Sequence, residues 1–168
     1  MKSKFCILFA GPIGSSKSPI ANYLSYKLNI PNYNTDIINS EVKEDLFKQD
    51  KAEFEKRRTE RLDEILKMGI SFIFDSSIDR KATKLFEKLN NYNYQTFIIS
   101  IDISKGFLIK LYEIKDYSES LKYIDLNMDE HAQFIEKYSD KINLIITDEN
   151  FLNRLELSCL EIKRWLNL

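Results

Sequence analysis

The chain has little cysteine and little histidine. Its 168 residues include two cysteines, Cys6 and Cys159, and one histidine. The spacing of the cysteines is not that of a metal site, so we expect two buried thiols in the reducing cytoplasm rather than a disulfide or a zinc centre. The single histidine, His131, follows Asp129 and Glu130 in a helical pattern. We expect it on the surface.

Long apolar runs and an excess of charge of one sign are also absent. No run reaches the length of a transmembrane helix, and the opening stretch has too short an apolar run for a signal peptide. The 25 basic and 26 acidic side chains give a formal net charge of -1, so nothing attracts the chain in bulk to anionic membranes or long nucleic acids. We therefore expect neither a membrane nor an extended nucleic acid as a partner, and the pattern leaves the oligomeric state open. The length and the 43% hydrophobic content predict a single domain, 1–168.

Four short runs rich in β-branched and aromatic residues are spaced along the chain. They are KFCILFA (4–10), ISFIFD (70–75), QTFIISID (95–102) and KINLIITD (142–148), with a weaker candidate near PNYN (31–34). Each strong run is apolar on both alternating faces, which is typical of a strand covered on both sides. Stretches with helical periodicity separate the runs. This alternation predicts an α/β fold with a parallel sheet, in which ligands bind at the carboxyl ends of the strands.

Glycine is scarce, yet two of the four glycines fall in GPIGSSKS (11–18), directly after the first predicted strand. A glycine, five residues, then lysine and serine between a strand and a helix is typical of a phosphate-binding loop. Such a loop needs converging backbone N–H groups, a helix N-terminus and one ammonium. The predicted phosphate-binding residues are Gly11, Pro12, Ile13, Gly14, Ser15, Ser16, Lys17 and Ser18. The alternative is a turn with only a structural role.

Ser16 departs from the phosphate-loop pattern, because a glycine is expected immediately before the lysine. A serine keeps the backbone N–H donor but adds a Cβ near the phosphates. We expect this to weaken or reshape phosphate binding without abolishing it.

Asp75 ends the third predicted strand and opens the motif DSSIDR. An acidic group at a strand end beside a phosphate loop can hold Mg²⁺ together with the loop hydroxyl, here that of Ser18. The alternative is that Asp75 with Ser76 and Ser77 only caps the next helix.

Asp36 follows the weak second strand in YNTDIINSE. Its functional interpretation is a general base that takes the proton from an acceptor hydroxyl. The alternative is again a helix cap, with Thr35 as a competing candidate.

The charged run FEKRRTER (54–61) places arginines on a helix. Arg58 falls on the apolar stripe of this helix, and Arg61 lies three residues further along. Two arginines on an inward line need anionic partners, because an unpaired buried charge is costly. The partner is a substrate anion or a structural carboxylate such as Asp36 or Asp75, and we expect structural pairing. Arg80 is a further candidate for a substrate or lid contact.

Taken in order, these motifs resemble those of the small P-loop kinases that include polynucleotide kinase and zeta-toxin. The resemblance covers most of the chain: GPIGSSKS, YNTDIINSE with Asp36 at the general-base position, DSSIDR, and a two-helix segment, 104–138, where the family has its lid. We expect a break between these two helices near 116–118. The resemblance implies a three-layer P-loop kinase-like fold, with a five-stranded parallel sheet, helices on both faces and a short helical lid. It also implies ATP and Mg²⁺ as cofactors, with Lys17 on the terminal phosphates and Ser18 on Mg²⁺.

The chain departs from that family at two places. Asn39 stands where the family usually has an arginine that grips a substrate phosphate, and the lid offers Lys105, Lys110 and Lys115 in place of arginines. Lysine supplies charge without the bidentate fork of arginine. We expect Lys110 or Lys115 to close on the transferred phosphoryl group.

The sequence thus predicts an ATP- and Mg²⁺-dependent phosphotransferase that acts on a small acceptor hydroxyl, such as that of a small molecule, a nucleoside or a nucleotide. Lys17, Asp36 and Lys115 are its expected catalytic residues. The alternative is a nucleotide-binding protein without transfer activity, which serves as a sensor or an interaction module.

Overall fold

A computed structural model describes residues 4–168, and its centre is a five-stranded sheet. The strands are β1 (Phe5–Ala10), β2 (Asn32–Asn34), β3 (Phe72–Ser77), β4 (Gln95–Ile101) and β5 (Leu144–Ile146). Their order is β2-β3-β1-β4-β5, and every neighbouring pair is parallel. The predicted five-stranded parallel sheet is therefore confirmed.

Two of the strands differ from their predicted limits. β3 lies two residues further along the chain than predicted, because the left-handed Gly69 ends the preceding helix and the chain becomes extended only after it. β5 is shorter than its apolar run and comprises three residues.

The helices follow the alternation that the sequence predicts. Residues 4–168 contain seven α-helices: α1 (Lys17–Leu28), α2 (Thr35–Leu46), α3 (Lys51–Met68), α4 (Ala82–Asn91), α5 (Lys105–Ile114), α6 (Ile124–Tyr138) and α7 (Arg154–Trp165). Short 3₁₀ helices occur at Ser118–Tyr123, Ser139–Lys141 and Phe151–Asn153. Among the described residues, no helix is both long enough and apolar enough to cross a membrane.

Alternating side chains of β1 enter two hydrophobic cores on opposite faces of the sheet. Ile7 and Phe9 pack with residues of α1, α5 and α7. Cys6 and Leu8 pack with residues of α3, α4 and α6. All four side chains are fully buried, and the full burial of a large apolar side chain contributes about 1.5–3 kcal/mol. The result is the predicted three-layer arrangement, with the sheet between two layers of helices.

The segment 104–138 contacts both cores. Leu108 and Tyr112 of α5 pack in the first core, and Phe134 of α6 packs in the second. Between these helices the chain turns at Asp116, which has a left-handed φ of 55°. The predicted break near 116–118 is therefore confirmed.

Candidate active site

The loop between β1 and α1 has an unusual backbone that two glycines permit. Gly11, Gly14 and Ser16 have φ values of 144°, 77° and 69°. A Cβ on Gly14 would lie 2.3 Å from the ring of Tyr112, and one on Gly11 would lie 3.0 Å from the Cβ of Ile101. The loop leads directly into the N-terminus of α1, where backbone N–H groups without intrahelical partners favour an anion. The predicted phosphate loop therefore has a backbone suited to close approach.

The side chain of Lys17 is held at this loop. Its Nζ donates to the carbonyl oxygens of Gly11 (2.8 Å) and Pro12 (2.6 Å) and to the Oγ of Ser15 (3.2 Å). Withdrawal from water lowers the pKa of Lys17 to about 8, against the opposing effect of nearby carboxylates, foremost that of Asp79. The ammonium thus lies among loop carbonyls, in a position where phosphate oxygens would offer a stronger partner.

Helix α5 contacts the same loop from the other side. Lys115 Nζ donates to the carbonyl oxygen of Gly14 (2.7 Å) and to the Oγ of Ser16 (2.6 Å). The hydroxyl of Tyr112 donates to the carbonyl oxygen of Ile13 (2.6 Å). Burial lowers the pKa of Lys115. The structure thus brings Lys115 to the loop through a serine hydroxyl that the expected glycine would not offer, whereas Lys110 is exposed on α5.

Ser18 and Asp75, the two residues that the sequence assigns to Mg²⁺, lie together. Ser18 Oγ donates to Asp75 Oδ1 at 3.0 Å. Asp75 Oδ2 accepts hydrogen bonds from the side-chain amides of Asn34 (2.7 Å) and Asn32 (3.4 Å). Burial raises the pKa of Asp75, and the hydrogen bond from Ser18 is the largest opposing influence. The capping alternative for Asp75 is wrong, because β3 continues to Ser77 and the next helix starts only at Ala82.

The donor set fits a hard cation. A hydroxyl and a carboxylate supply the oxygen ligands that Mg²⁺ prefers, and Mg²⁺ usually takes its remaining ligands from water and substrate phosphates. In the part of the chain that the structure describes, no cluster of three or more His, Cys, Asp or Glu side chains is arranged to hold a metal by itself. A metal at Ser18 and Asp75 would therefore depend on the nucleotide for further ligands.

Asp36 lies in the first turn of α2 with an exposed side chain. The cap of this helix is Asn34, whose Oδ1 accepts from the backbone N–H groups of Asp36 (2.8 Å) and Ile37 (3.3 Å). The alternative that Asp36 or Thr35 caps the helix is therefore wrong. The negative charge of Asp36 acts on the pKa values of both Lys17 and Asp75, so its carboxylate lies within electrostatic reach of the phosphate loop.

Both arginines of interest on α3 pair with glutamates. Arg58 contacts Glu55 at 2.5 Å, and Arg61 forms two hydrogen bonds with Glu41 of α2. Structural pairing is therefore confirmed, but the expected partners Asp36 and Asp75 are wrong, because glutamates on α3 itself and on α2 lie closer.

Arg80 contacts the predicted lid. Its Nε donates to Glu130 (2.6 Å) and its Nη2 donates to Asn127 (3.3 Å), and both partners belong to α6.

Asp79 is a candidate that the sequence reasoning missed. The backbone N–H of Gly11 donates to both of its carboxylate oxygens, at 3.1 and 3.2 Å, and its side chain is 7% exposed. The available signal was a second acid four residues after Asp75, within the same motif DSSIDR.

The expected surface position of His131 is wrong. The residue is 2% exposed. His131 and Phe134 lie three residues apart on the buried face of α6, whereas Asp129 points to solvent. The helical spacing of Ile124, Asn127, His131 and Phe134 carried this information.

Comparisons with known proteins place the fold. No family model and no curated protein matches the sequence. Among solved structures, a "putative kinase" of Chloroflexus aurantiacus superimposes with a TM-score of 0.70 at 14% identity, over 99% of this chain and 98% of that one. Shikimate kinase of Bacteroides thetaiotaomicron gives 0.57 at 17% identity over 98% and 99%. Deoxyadenosine kinase of M. mycoides gives 0.60 at 15% identity over 95% and 100%.

At such identities the likeness is one of fold. The chain has the three-layer α/β fold of the P-loop kinases. The neighbours comprise several kinds of small kinase, so they do not single out the polynucleotide kinase and zeta-toxin type.

Proposed function

We propose that this chain, which folds as the P-loop kinases do, is an ATP- and Mg²⁺-dependent phosphotransferase acting on an acceptor hydroxyl. One observation carries the proposal. The loop between β1 and α1 holds the ammonium of Lys17, whose pKa the carboxylate of Asp75 influences, and Ser18 donates a 3.0 Å hydrogen bond to that carboxylate. Phosphoryl transfer needs little covalent help from the protein and depends on positioning and charge neutralisation. A cation-bearing loop next to a hard-metal ligand pair supplies both.

Each side chain has a definite task in this proposal. The loop amides and Lys17 hold the β- and γ-phosphates, and Lys115 adds a second positive charge from α5. Ser18 and Asp75 are the protein ligands of Mg²⁺, which when bound neutralises charge on the phosphate oxygens. The partners are a nucleotide and a small acceptor in a reducing cytoplasm, where the buried Cys6 and Cys159 stay free.

Asp36 is the proposed general base. Its exposed carboxylate lies at the carboxyl end of β2, the strand that pairs with β3 through Asn34 and Asp75. There it can accept the proton of an acceptor hydroxyl as the oxygen attacks the γ-phosphorus. General-base help of this kind contributes about 10²- to 10⁴-fold in rate.

The paired charges on α2 and α3 favour an uncharged acceptor. Arg58 and Arg61 are already neutralised by Glu55 and Glu41, and Asn39 stands where the resemblance puts a phosphate-gripping arginine. A carboxylate or phosphate on the acceptor would have to break one of these ion pairs to be neutralised. A nucleoside or polyol, which is recognised by hydrogen bonds, requires no such exchange.

An acceptor series tests this assignment. We expect transfer from [γ-³²P]ATP to nucleosides or polyols. For the same compounds carrying a phosphate or carboxylate we expect at least tenfold lower kcat/KM, which corresponds to about 1.4 kcal/mol. The Glu55→Gln and Glu41→Gln variants, which release Arg58 and Arg61, should narrow that gap. Preference of the unmodified protein for anionic acceptors would contradict the assignment.

A paired substitution separates the base from the metal ligand. Asp36→Asn should leave ATP affinity unchanged and lower transfer about 10²- to 10⁴-fold, because asparagine cannot take the proton. Asp75→Asn should weaken nucleotide binding only when Mg²⁺ is present, and should lower turnover as well. The measurements are titration calorimetry with and without Mg²⁺ and a transfer assay. Wild-type turnover in Asp36→Asn would refute the role of the base.

The second candidate is nucleotide binding without transfer. The observation that favours it is the absence of arginine from the segment 104–138, together with the attachment of Lys115 to loop atoms. Under this alternative the protein binds ATP, but the γ-phosphate reaches neither an acceptor nor water. The acceptor series and a slow hydrolysis assay therefore decide between the two.

A further inference from the structure

A chain of buried polar groups runs behind the phosphate loop, and the proposed chemistry does not use it. His131 of α6 lies between Ser100 of β4 and Asp79 of the β3–α4 turn. Its Nε2 is 3.2 Å from Ser100 Oγ, and its Nδ1 is 3.4 Å from Asp79 Oδ2. Asp79 in turn accepts the backbone N–H of Gly11, the first residue of the loop. Helix α6 is thus connected to the loop through two side chains.

The Nδ1 atom of His131 is an unusual feature of this chain. It is buried and lacks a hydrogen-bond partner among the described residues. A buried polar atom without a partner is costly, and groups that are fully connected in a network stabilise one another. In the tautomer with a proton on Nδ1, the N–H is attracted electrostatically to the Asp79 carboxylate at 3.4 Å without an aligned hydrogen bond, while Nε2 accepts from the hydroxyl of Ser100. In this tautomer the Nδ1 donor faces the carboxylate acceptor of Asp79, and the Nε2 acceptor faces the hydroxyl donor of Ser100.

The turn that carries Asp79 is anchored elsewhere as well. The backbone N–H of Ile78 donates to the carbonyl oxygen of Phe9 in β1 at 3.0 Å. The next side chain, Arg80, contacts Glu130 of α6 at 2.6 Å. The turn is therefore connected to α6 by the buried His131 and by Arg80, which has an exposed contact with Glu130 and a second contact with Asn127. The exposed pair provides a natural control.

We infer that His131 is a positioning residue for the phosphate loop: through Asp79 it fixes the backbone N–H of Gly11 and thereby couples α6 to the affinity for the nucleotide. The inference concerns the regulation of the proposed nucleotide site and rests on the proposed function for its consequence. Its structural part, the restraint of Gly11 by α6, can be measured without any nucleotide.

Two substitutions at one position separate positioning from packing. The amide nitrogen of asparagine lies near the position of histidine Nδ1, and that of glutamine lies near Nε2. His131→Asn therefore keeps a donor towards Asp79, whereas His131→Gln keeps a group towards Ser100. Both leave a cavity in the same core and should lower the melting temperature similarly. Only the variant that loses the contact with Asp79 should change the restraint on the Gly11 amide.

The first readout is the rate of hydrogen exchange at the Gly11 amide, which NMR measures in the protein without ligand. Exchange should accelerate in His131→Gln and in Asp79→Ala, and should match the wild type in His131→Asn and in the control Glu130→Gln. The second readout is ADP affinity by calorimetry. We expect His131→Gln to weaken ADP about 3- to 30-fold, the range for residues that act through a network, with His131→Asn within about threefold of the wild type.

The outcomes distinguish this inference from the proposed function. Equal exchange at Gly11 and equal ADP affinity in the two His131 variants would overturn the inference, because packing alone would then account for the residue. Failure of the wild type to bind ADP or Mg·ATP would instead overturn the proposed function, and the exchange at Gly11 would still decide whether His131 restrains the loop.

Discussion

Ser16 has the left-handed conformation that a glycine would adopt without strain. Its φ and ψ are 69° and 41°, and this region costs a residue with a Cβ about 1–2 kcal/mol. Its hydroxyl, however, accepts a 2.6 Å hydrogen bond from Lys115. The strained backbone of Ser16 is thus accompanied by a hydrogen bond from Lys115. Among the described residues of the segment 104–138, Lys115 is the only lysine that contacts the loop.

A double-mutant cycle on this pair tests whether the attachment matters for nucleotide binding. Lys115→Met should weaken ADP about tenfold through the loss of a charged contact to phosphate. Ser16→Gly should leave affinity unaltered or improve it when methionine is at position 115, because only backbone strain then changes. With Lys115 present, Ser16→Gly should be less favourable for ADP binding, because it also removes the hydrogen bond. The coupling free energy between the two positions, measured by calorimetry, should be about 0.5–3 kcal/mol.

Additivity would contradict that prediction. If the two single effects on ADP affinity sum to within about 0.5 kcal/mol of the double variant, the Ser16–Lys115 hydrogen bond does not contribute to the site. Lys110→Met is the matched control, because Lys110 is on the same helix but exposed.

The pKa of Lys17 predicts a pH dependence. Withdrawal from water lowers this pKa to about 8 from its ordinary value of 10.5, and the charges that act on it are those of Asp79, Asp75, Lys115 and Asp36. Between about pH 8 and pH 10.5 the unfolded chain binds more protons at Lys17 than the folded chain does. The contribution of Lys17 to the free energy of unfolding therefore rises with pH across that range. Nucleotide affinity should move the other way, falling by up to about tenfold per pH unit above 8 as the ammonium is lost.

Lys17→Arg provides the control for that profile. An arginine stays protonated across the range. Titration of residue 17 should therefore not change the ADP affinity of this variant, even if that affinity is weaker, between pH 6.5 and about 9.5. Calorimetric titrations over that range decide the matter. An identical pH profile in the two proteins would exclude Lys17 as the titrating group.

At the scale of elements, the contact between α5 and the loop depends on a missing side chain. A Cβ on Gly14 would meet the ring of Tyr112 at 2.3 Å, and the φ of 77° adds strain. Gly14→Ala should therefore force α5 and the loop apart, lower stability by about 1–3 kcal/mol and abolish measurable ADP binding. Denaturant unfolding and calorimetry measure the two effects.

Gly106 offers the matching control within α5. A Cβ there meets nothing within 4 Å, and replacing glycine by alanine where the backbone accepts it stabilises a protein by about 0.4–1 kcal/mol, chiefly by restricting the unfolded chain. Gly106→Ala should therefore stabilise the protein and leave ADP binding intact. A comparable loss of binding in both variants would mean that α5 is sensitive to any added side chain, and the specific role of the Tyr112–Gly14 contact would be rejected.

The same scale shows what the sequence could predict. Strand and helix alternation, the loop between β1 and α1 and the break near Asp116 all follow from periodicity and from glycine placement, which are local. The helical spacing of α6 also indicates a buried His131, but the contact of His131 with Asp79 could not be predicted in this way. Their importance comes from three separate elements that meet behind the loop, and no local pattern records such a meeting.

Pairing of charges shows the same limit. The need of Arg58 and Arg61 for carboxylates follows from their position on the helix. The choice of Glu55 and Glu41 instead of Asp36 depends on distances between α2 and α3 that only the folded chain defines. That choice leaves the carboxylate of Asp36 outside these two ion pairs.

At the scale of the whole molecule, the phosphate loop lies where both helical layers contribute. Tyr112 and Lys115 reach it from α5, and Asp79 links it to the turn beside α6. Hence a ligand that orders the loop should stabilise the entire fold rather than one region. With Mg·ATP at one hundred times its Kd, the stabilisation is about 2.7 kcal/mol. For a domain of this length it should raise the melting temperature by about 5–10 °C.

Variants then show whether the stabilisation comes from the loop. Lys17→Ala should lose most of the rise in melting temperature, while Asp36→Asn should keep it, because the proposed base would contact the acceptor and not the nucleotide. Without Mg²⁺ the rise should shrink in the wild type but change little in Asp75→Asn, which lacks a metal ligand. Differential scanning fluorimetry with ATP, ADP and GTP measures all of these. A melting temperature unaffected by millimolar amounts of each nucleotide would refute the nucleotide site itself, because a protein that binds a ligand only when folded must be stabilised by it.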